Sequence, residues 1–202
     1  MSQKPNIIFI FTDQQSADMM SCTGNEYLET PAMDYIAQNG VRFNRAYCTN
    51  PVCLPSRFSL MTGKMPSHVN IKSNDWKEET SGIPDKIFKN GLGKIFKRAG
   101  YETVYGGKIH LPGFKPQDLG FDYLTGDRRE KLASTCAEYI KEFDKDKPFF
   151  MISSFINPHD ICYKAITDYA ATMGKKEDYE DITDYQILKS VIAKKEKYEP
   201  DE

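Results

Sequence analysis

Residues 83–110, which read IPDKIFKNGLGKIFKRAGYETVYGGKIH, pass from a helical pattern directly into a strand pattern. In the first half, apolar side chains recur at helical spacing, at Leu92, Ile95, Phe96 and Ala99. Gly100 follows as a helix stop, and the β-rich segment YETVYGG begins at the next residue. A helix that leads at once into a strand is the repeating unit of α/β proteins with a parallel sheet.

Other stretches extend this alternation toward both ends of the chain. Residues 6–13, NIIFIFTD, form a short apolar run that ends in polar residues, and we predict a buried strand over 6–11. Residues 30–40, TPAMDYIAQNG, predict a helix that is capped at Thr30, starts at Pro31 and stops at Gly40.

Downstream of residue 110 the same order of helix and strand returns. Residues 127–146, DRREKLASTCAEYIKEFDKD, predict a helix, and residues 147–160, KPFFMISSFINPHD, predict a strand that Pro158 ends. We therefore predict an α/β fold with a mostly parallel sheet flanked by helices. Residues 161–202 are polar, and we expect them to be helical or partly disordered.

Composition and charge exclude several functional classes. The 202 residues carry a formal net charge of −2, which argues against a nucleic-acid partner because phosphate binding needs clustered Lys and Arg. No apolar run approaches the ~20 residues of a membrane span, and no signal peptide is seen, so we expect a cytoplasmic protein with no membrane partner. Five cysteines at scattered spacing do not indicate a disulfide framework. We predict that four of them are small, partly buried core residues, namely Cys22, Cys48, Cys136 and Cys162.

Polar side chains follow each predicted strand at its carboxyl end. Asp13 and Gln14 follow the first strand, and Lys108 and His110 follow YETVYGG. His159 and Asp160 follow the third predicted strand. Ligands of open parallel sheets bind at this edge. A single histidine there is most often structural, but two histidines at equivalent positions indicate a shared site.

The segment PVCLPSRFSLMTG, residues 51–63, places a cysteine next to a helix start. Pro55 suits the first turn of a helix, and Gly63 is a natural stop two turns later. Cys53 therefore precedes a helix N-terminus, where free N–H groups and the macrodipole favour an anion. Taken alone, this stretch leaves two interpretations open, a nucleophilic thiolate of low pKa or a buried cysteine beside a capping turn.

Four blocks together carry a family resemblance. The segment CLPSR followed by FSLMTG, at residues 53–63, resembles the sulfatase signature, and GYETVYGGKIH at 100–110 resembles the second signature of that family. NIIFIFTDQ before them and NPHD after them occur in the family's order. The chain is thus similar over residues 5–160 to formylglycine-dependent sulfatases of the alkaline-phosphatase superfamily. The resemblance implies that residues 1–160 are the N-terminal part of a catalytic domain, with 161–202 a segment of the same domain.

The resemblance also implies a reaction, the hydrolysis of sulfate esters of a small molecule or carbohydrate. A maturation enzyme would oxidise Cys53 to formylglycine, whose hydrate has one hydroxyl to attack sulfur and a second whose deprotonation expels sulfate. Asp13, Gln14 and residue 53 would bind a divalent cation, with calcium expected because it prefers hard oxygen ligands. Arg57 would hold the diol, and Lys108 would bind a sulfate oxygen. His110 would act as base in the elimination, and His159 would bind sulfate and protonate the leaving alcohol. For Asp160 we assign no role beyond capping the turn.

Two departures from the family pattern keep other interpretations open. Gln14 stands where many members have a second aspartate. A downstream metal pair and a further lysine are not found in residues 161–202, where Asp181 and Asp184 lie in a polar stretch that we do not assign to metal. We therefore expect the N-terminal part of a longer enzyme, with an incomplete sheet. The alternatives are a phosphate or phosphonate ester hydrolase of the same superfamily and a truncated, non-catalytic chain.

Overall fold

Four strands form one sheet in the computed structural model, which describes residues 4–74, 85–111, 113–126, 128–159 and 162. The strands are β1 (Ile7–Asp13), β2 (Glu102–Gly107), β3 (Asp122–Thr125) and β4 (Phe149–Pro158), in the order β1-β4-β2-β3. Strand β2 runs parallel to both of its neighbours, β4 and β3. The predicted fold class, a mostly parallel sheet flanked by helices, is confirmed.

Five α-helices are described: α1 (Pro31–Asn39), α2 (Cys53–Thr62), α3 (Asp85–Phe88), α4 (Leu92–Arg98) and α5 (Leu132–Glu142). The predicted helix at 30–40 is confirmed, but the Thr30 side chain makes no capping hydrogen bond, and its Oγ1 instead accepts from the Ser21 N–H. The helix within 127–146 is shorter than its pattern. The described part of the stretch 83–100, residues 85–100, contains two helices instead of one. Gly91 separates them because its backbone is extended, with ψ 149°, and passes close to the main chain of Leu119.

Apolar side chains pack on both faces of β2 and β4, where neighbouring residues of a strand point to opposite sides. One face carries Tyr105, Phe150 and Ile152, which belong to the same core cluster as residues of α2, namely Leu54, Phe58 and Met61. The other face carries Val104, Phe149 and Met151, which cluster with Leu132 and Cys136 of α5. Strands β2 and β4 therefore lie between two helical layers, and their positions are fixed from both sides.

The two outer strands differ from expectation. Strand β1 was predicted to be buried, but it lies at the edge of the sheet, with Ile8 45% and Ile10 55% exposed. Its burial alternates because only one face of the strand is covered. Strand β3 was not predicted, since it has four residues and its first two, Asp122 and Tyr123, are exposed.

The cysteines are free thiols, and their burial varies. The core prediction is confirmed for Cys136, which is buried, and wrong for Cys48, which is exposed in an irregular surface segment. Within the described ranges, none of the helices has the length and apolar character that crossing a bilayer requires. The chain divides into two compact units, Met1–Ile156 and Asn157–Glu202.

Candidate active site

Four predicted site residues of the first unit meet beyond the carboxyl ends of β1 and β2. Asp13 is the last residue of β1, and Lys108 directly follows β2. Cys53 is the first residue of α2, and Arg57 lies four positions later on the same face of that helix. We call these four residues the Asp13 cluster.

Charged contacts join the members of the Asp13 cluster. The Oδ2 atom of Asp13 lies 2.8 Å from Nη2 of Arg57 and 2.8 Å from Nζ of Lys108. The thiol of Cys53 donates to Oδ1 of Asp13 at 3.2 Å, and the Lys108 ammonium lies 3.8 Å from the Cys53 sulfur. Asp13, Arg57 and Lys108 are 5%, 4% and 7% exposed, so these charges interact with little screening by water.

The Asp13 carboxyl is held in its ionised form. Burial alone would raise its pKa, but hydrogen bonds from Lys108, Arg57 and Cys53, together with the Lys108 charge, lower the pKa from 3.8 to about 2. The cluster therefore carries one negative and two positive charges at neutral pH, a net charge of +1.

The Cys53 thiol is held in its neutral form. Burial raises its pKa above the ordinary value of 9.0, and the hydrogen bond to Asp13 raises it further, while the charges of Lys108 and Arg57 oppose this shift with smaller effects. The interpretation of Cys53 as a low-pKa thiolate is therefore wrong for the unmodified side chain. Burial of the sulfur, and after it the Asp13 carboxylate, outweigh the effects that would lower the Cys53 pKa.

The start of helix α2 is capped from a distant segment. The side-chain Oδ1 of Asn74 accepts a hydrogen bond from the Leu54 N–H at 2.9 Å, which satisfies one of the free donors of the first turn. The preceding residue, Val52, makes no side-chain cap. Sequence reasoning missed Asn74, because no local spacing links it to residue 53.

Three further predicted residues are Gln14, His110 and His159. Gln14 is exposed with φ 59°, and within the described ranges no hydrogen bond joins its side chain to the Asp13 cluster. His110 lies two residues past Lys108, half-buried, with φ 45°. His159 belongs to the second unit, where its Nδ1 atom lies 3.6 Å from the Cys162 sulfur. The placement of His110 and His159 in one site with Asp13 stays a prediction, and three further aspartates lie outside the described residues: Asp160, Asp181 and Asp184.

The Asp13 cluster meets the needs of a divalent metal only in part. Asp13 supplies hard oxygen atoms, but its Oδ2 atom already accepts from two cations. Calcium requires about 6–8 oxygen ligands and is favoured by anionic charge, whereas the cluster has one carboxylate. The cluster by itself therefore does not form a calcium shell.

Comparison with known proteins identifies the family. The Sulfatase family profile matches residues 5–191. An arylsulfatase of Clostridium perfringens is 36% identical over 156 residues, 71% of this chain and 31% of that protein. An N-acetylglucosamine-6-O-sulfatase of Bacteroides thetaiotaomicron is 31% identical over 184 residues, 78% of this chain and 31% of that protein.

A solved structure shares the fold. It is a protein in complex with its substrate D-glucosamine-2-N,6-O-disulfate, with a TM-score of 0.65, 30% identity and coverage of 78% of this chain and 35% of that one. The chain thus spans about a third of the length of the relatives it matches. From the profile, the relatives and the fold together, the chain belongs to the sulfatase family.

Proposed function

We propose that the protein is a sulfuric ester hydrolase whose nucleophile is a formylglycine made from Cys53. The observation that carries the proposal is the position of residue 53, within hydrogen-bonding distance of the Asp13 carboxylate and beside the Lys108 ammonium. Because burial and the Asp13 carboxylate raise the pKa of the Cys53 thiol, the unmodified side chain would be a poor nucleophile at pH 7. A hydrated formylglycine at this position would supply two hydroxyls, one to attack sulfur and one to drive sulfate release.

The charges of the cluster suit an anionic substrate. Its net charge of +1 complements a sulfate ester, which carries one negative charge. Lys108 would bind a sulfate oxygen, and Arg57 would hold the residue-53 side chain, with each such donor contributing roughly 2–4 kcal/mol to transition-state stabilisation. His110 would take the proton from the residue-53 hydroxyl when sulfate leaves, and His159 would protonate the departing alcohol.

A divalent cation, with calcium expected, is part of the proposal. Asp13, Gln14 and residue 53 would contribute oxygen ligands, and the ion would supply Lewis acidity toward the residue-53 hydroxyl. Arg57 and Lys108 already neutralise Asp13, so we expect the 202-residue chain by itself to bind the ion weakly and to turn over sulfate esters slowly.

A sulfated carbohydrate is the proposed substrate. Support comes from the relative named for N-acetylglucosamine-6-O-sulfate and from the neighbour solved with a sulfated glucosamine. The proposed protein partner is a formylglycine-generating maturation enzyme that reads residues 53–57. A cytoplasmic location stays a prediction, which fractionation of the native host would test.

The first test is chemical and needs no turnover. The chain is produced with and without a maturation enzyme, and the peptide covering residues 46–64 is analysed by mass and by labelling with an aldehyde probe. We expect labelling of residue 53 only with the enzyme, and none in Cys53→Ala; the exposed Cys48 in the same peptide is the internal control. An unmodified Cys53 in a host that converts other sulfatases would overturn the proposal.

The second test concerns the reaction. The modified chain is assayed with an aryl sulfate, an aryl phosphate and an aryl phosphonate at equal concentration, with and without calcium. Slow, calcium-dependent turnover of the sulfate is expected. A preference for phosphate or phosphonate would support the alternative hydrolase, and an absence of turnover in all three would support a non-catalytic chain.

A further inference from the structure

A buried network of hydrogen bonds lies behind the Asp13 cluster, centred on the main-chain carbonyl of Lys108. This oxygen accepts from Nη1 of Arg57 at 2.7 Å, from Oγ of Ser154 at 2.7 Å and from the hydroxyl of Tyr105 at 2.6 Å. Nη1 of Arg57 also donates to Oγ of Ser154 at 2.8 Å. We call these four residues the Lys108 carbonyl network.

The residues of the network are buried, so water has little access to replace its hydrogen bonds. Tyr105 and Ser154 are 0% exposed, and Arg57 and Lys108 are 4% and 7% exposed. Each polar group left unsatisfied in such surroundings costs about 1–3 kcal/mol. The direction of the serine bonds is also fixed, because the carbonyl can only accept and the guanidinium can only donate.

The sheet determines where Ser154 stands. Gly107 of β2 pairs with Ser154 of β4, and the Lys108 N–H donates to the Ser154 carbonyl at 2.9 Å. The Ser154 hydroxyl therefore lies at the level where the chain leaves β2. Its neighbour Ser153 points to the opposite face, where its hydroxyl lies 3.4 Å from the sulfur of Cys136.

The Arg57 guanidinium is thereby held at both ends. Nη2 contacts Asp13 at the end of β1, and Nη1 contacts the Lys108 carbonyl network between β2 and β4. Loss of the Ser154 hydroxyl would release one side of Nη1 and loosen the turn that carries the Lys108 side chain. Burial raises the pKa of Tyr105, so its hydroxyl stays a donor through the neutral range.

We propose that Ser154 and Tyr105 are positioning residues, which act through the Lys108 carbonyl to orient Arg57 and Lys108 toward residue 53. The orientation of the two cations stands on the contacts above. Its effect on turnover rests on the proposed sulfatase function. The orientation of the cations and its effect on turnover are therefore measured in separate experiments.

The orientation is measured by NMR of the arginine side chains in the unmodified 202-residue chain. We expect distinct, slowly exchanging Nη–H signals for Arg57, and their loss in Ser154→Ala and in Tyr105→Phe. The matched controls are Ser153→Ala, which also removes a buried hydroxyl from β4, and Tyr139→Phe, whose ring packs on Phe149 on the other face. Both should leave the Arg57 signals unchanged.

The effect on turnover is measured on the formylglycine-bearing chain. We expect Ser154→Ala and Tyr105→Phe to lower kcat/KM about 10- to 100-fold, mainly through kcat, by analogy with hydrogen-bond partners behind metal ligands. The controls should stay within about twofold of the wild type. If Ser154→Ala fails to fold, the isosteric Tyr105→Phe gives the same readouts.

The outcomes separate the two ideas. Unchanged Arg57 signals in both variants would overturn the positioning role, whatever the activity. Altered signals in a chain that turns over no sulfate ester would support the positioning role and contradict the proposed function. Turnover that falls equally in the Ser154 and Ser153 variants would show a general effect on stability and overturn the specific role.

Discussion

The Asp13 carboxylate and the Lys108 ammonium are 2.8 Å apart, although strand β4 lies between the strands that carry them. Asp13 closes β1, and Lys108 follows the end of β2, so their side chains meet beyond the sheet edge. Burying these charges is costly unless they pair well, and Arg57 contributes a second cation to the same carboxylate oxygen. This arrangement makes the electrostatics of the site testable without any substrate.

We expect the stability of the fold to depend on pH through Asp13. The pKa of its carboxyl is lowered on folding from 3.8 to about 2, so the ionised group contributes stability that is fully present above pH 3.8 and is lost as the pH falls through about 2. The shift corresponds to about 2 kcal/mol. Urea unfolding between pH 5 and 2 measures it, and Asp13→Asn should flatten this part of the curve. If the free energy of unfolding fell equally with pH in the wild type and in Asp13→Asn, the prediction that Asp13 is ionised in the fold would be wrong.

Removal of the Lys108 charge should be far more costly than removal of a surface charge. Lys108→Met breaks a buried ion pair and should lower the free energy of unfolding by about 3 kcal/mol while raising the pKa of Asp13. Lys97→Met breaks an exposed pair with Asp122, whose side chains are 44% and 65% exposed, and should cost less than about 1 kcal/mol. Denaturation of both variants at pH 7 gives the comparison, and equal costs would refute a buried, strongly coupled Lys108.

Cys53 should react slowly with alkylating agents in the unmodified protein. Its thiol is half-buried and its pKa is raised, whereas Cys48 is exposed. Asp13→Asn removes the carboxylate that opposes ionisation, so Lys108 and Arg57 should then lower the Cys53 pKa and accelerate alkylation. Mass-resolved labelling with iodoacetamide at pH 7 reports both rates. A Cys53 that reacts faster than Cys48 in the wild type would contradict this view, and the Cys48 rate should not change in the variant.

Gly107 should not tolerate alanine. A Cβ atom there would lie 2.1 Å from the Ser154 carbonyl oxygen, and the backbone has φ 92°. Gly63 is the matched control, since its φ is 65° but no atom lies within 4 Å of the added Cβ. Gly63→Ala should cost about 1–2 kcal/mol from the left-handed backbone alone, whereas Gly107→Ala should displace β4 and prevent stable folding. Equal melting temperatures for the two variants would show that the backbone at Gly107 lies farther from the Ser154 carbonyl than the added Cβ distance of 2.1 Å implies.

Calcium should bind the 202-residue chain weakly. The Asp13 cluster offers one carboxylate, whose Oδ2 atom already pairs with two cations, and a calcium shell needs about 6–8 oxygens. Titration followed by the carboxylate ¹³C signal of Asp13 should show little change at calcium concentrations that saturate a complete site. Lys108→Met should strengthen binding because it removes a competing cation. Tight binding by the wild type would show that residues outside the cluster complete the shell.

Much of the fold could be predicted because secondary structure follows local patterns. The passage from helix to strand between Leu92 and Gly107 is encoded by side-chain spacing within a few residues, as is the helix from Pro31 to Asn39. The edge position of β1 could not be predicted in this way. Both faces of NIIFIFTD are apolar, so spacing does not show that β1 lies at the edge of the sheet, as the strand order does, or that only one of its faces is covered, as its burial does.

For the site, the sequence by itself determined which residues stand at the carboxyl ends of strands and at the start of α2, including Asp13, Cys53 and Lys108. It also determined the family, through the blocks around Cys53 and Lys108. Only the tertiary structure decided that one carboxylate meets two cations, that the Cys53 thiol stays neutral, and that Asn74 caps its helix. It also revealed Ser154 and Tyr105 behind Arg57. Spacing along the chain reports neighbours within an element, whereas the distances and burial that set a pKa arise between elements far apart in sequence.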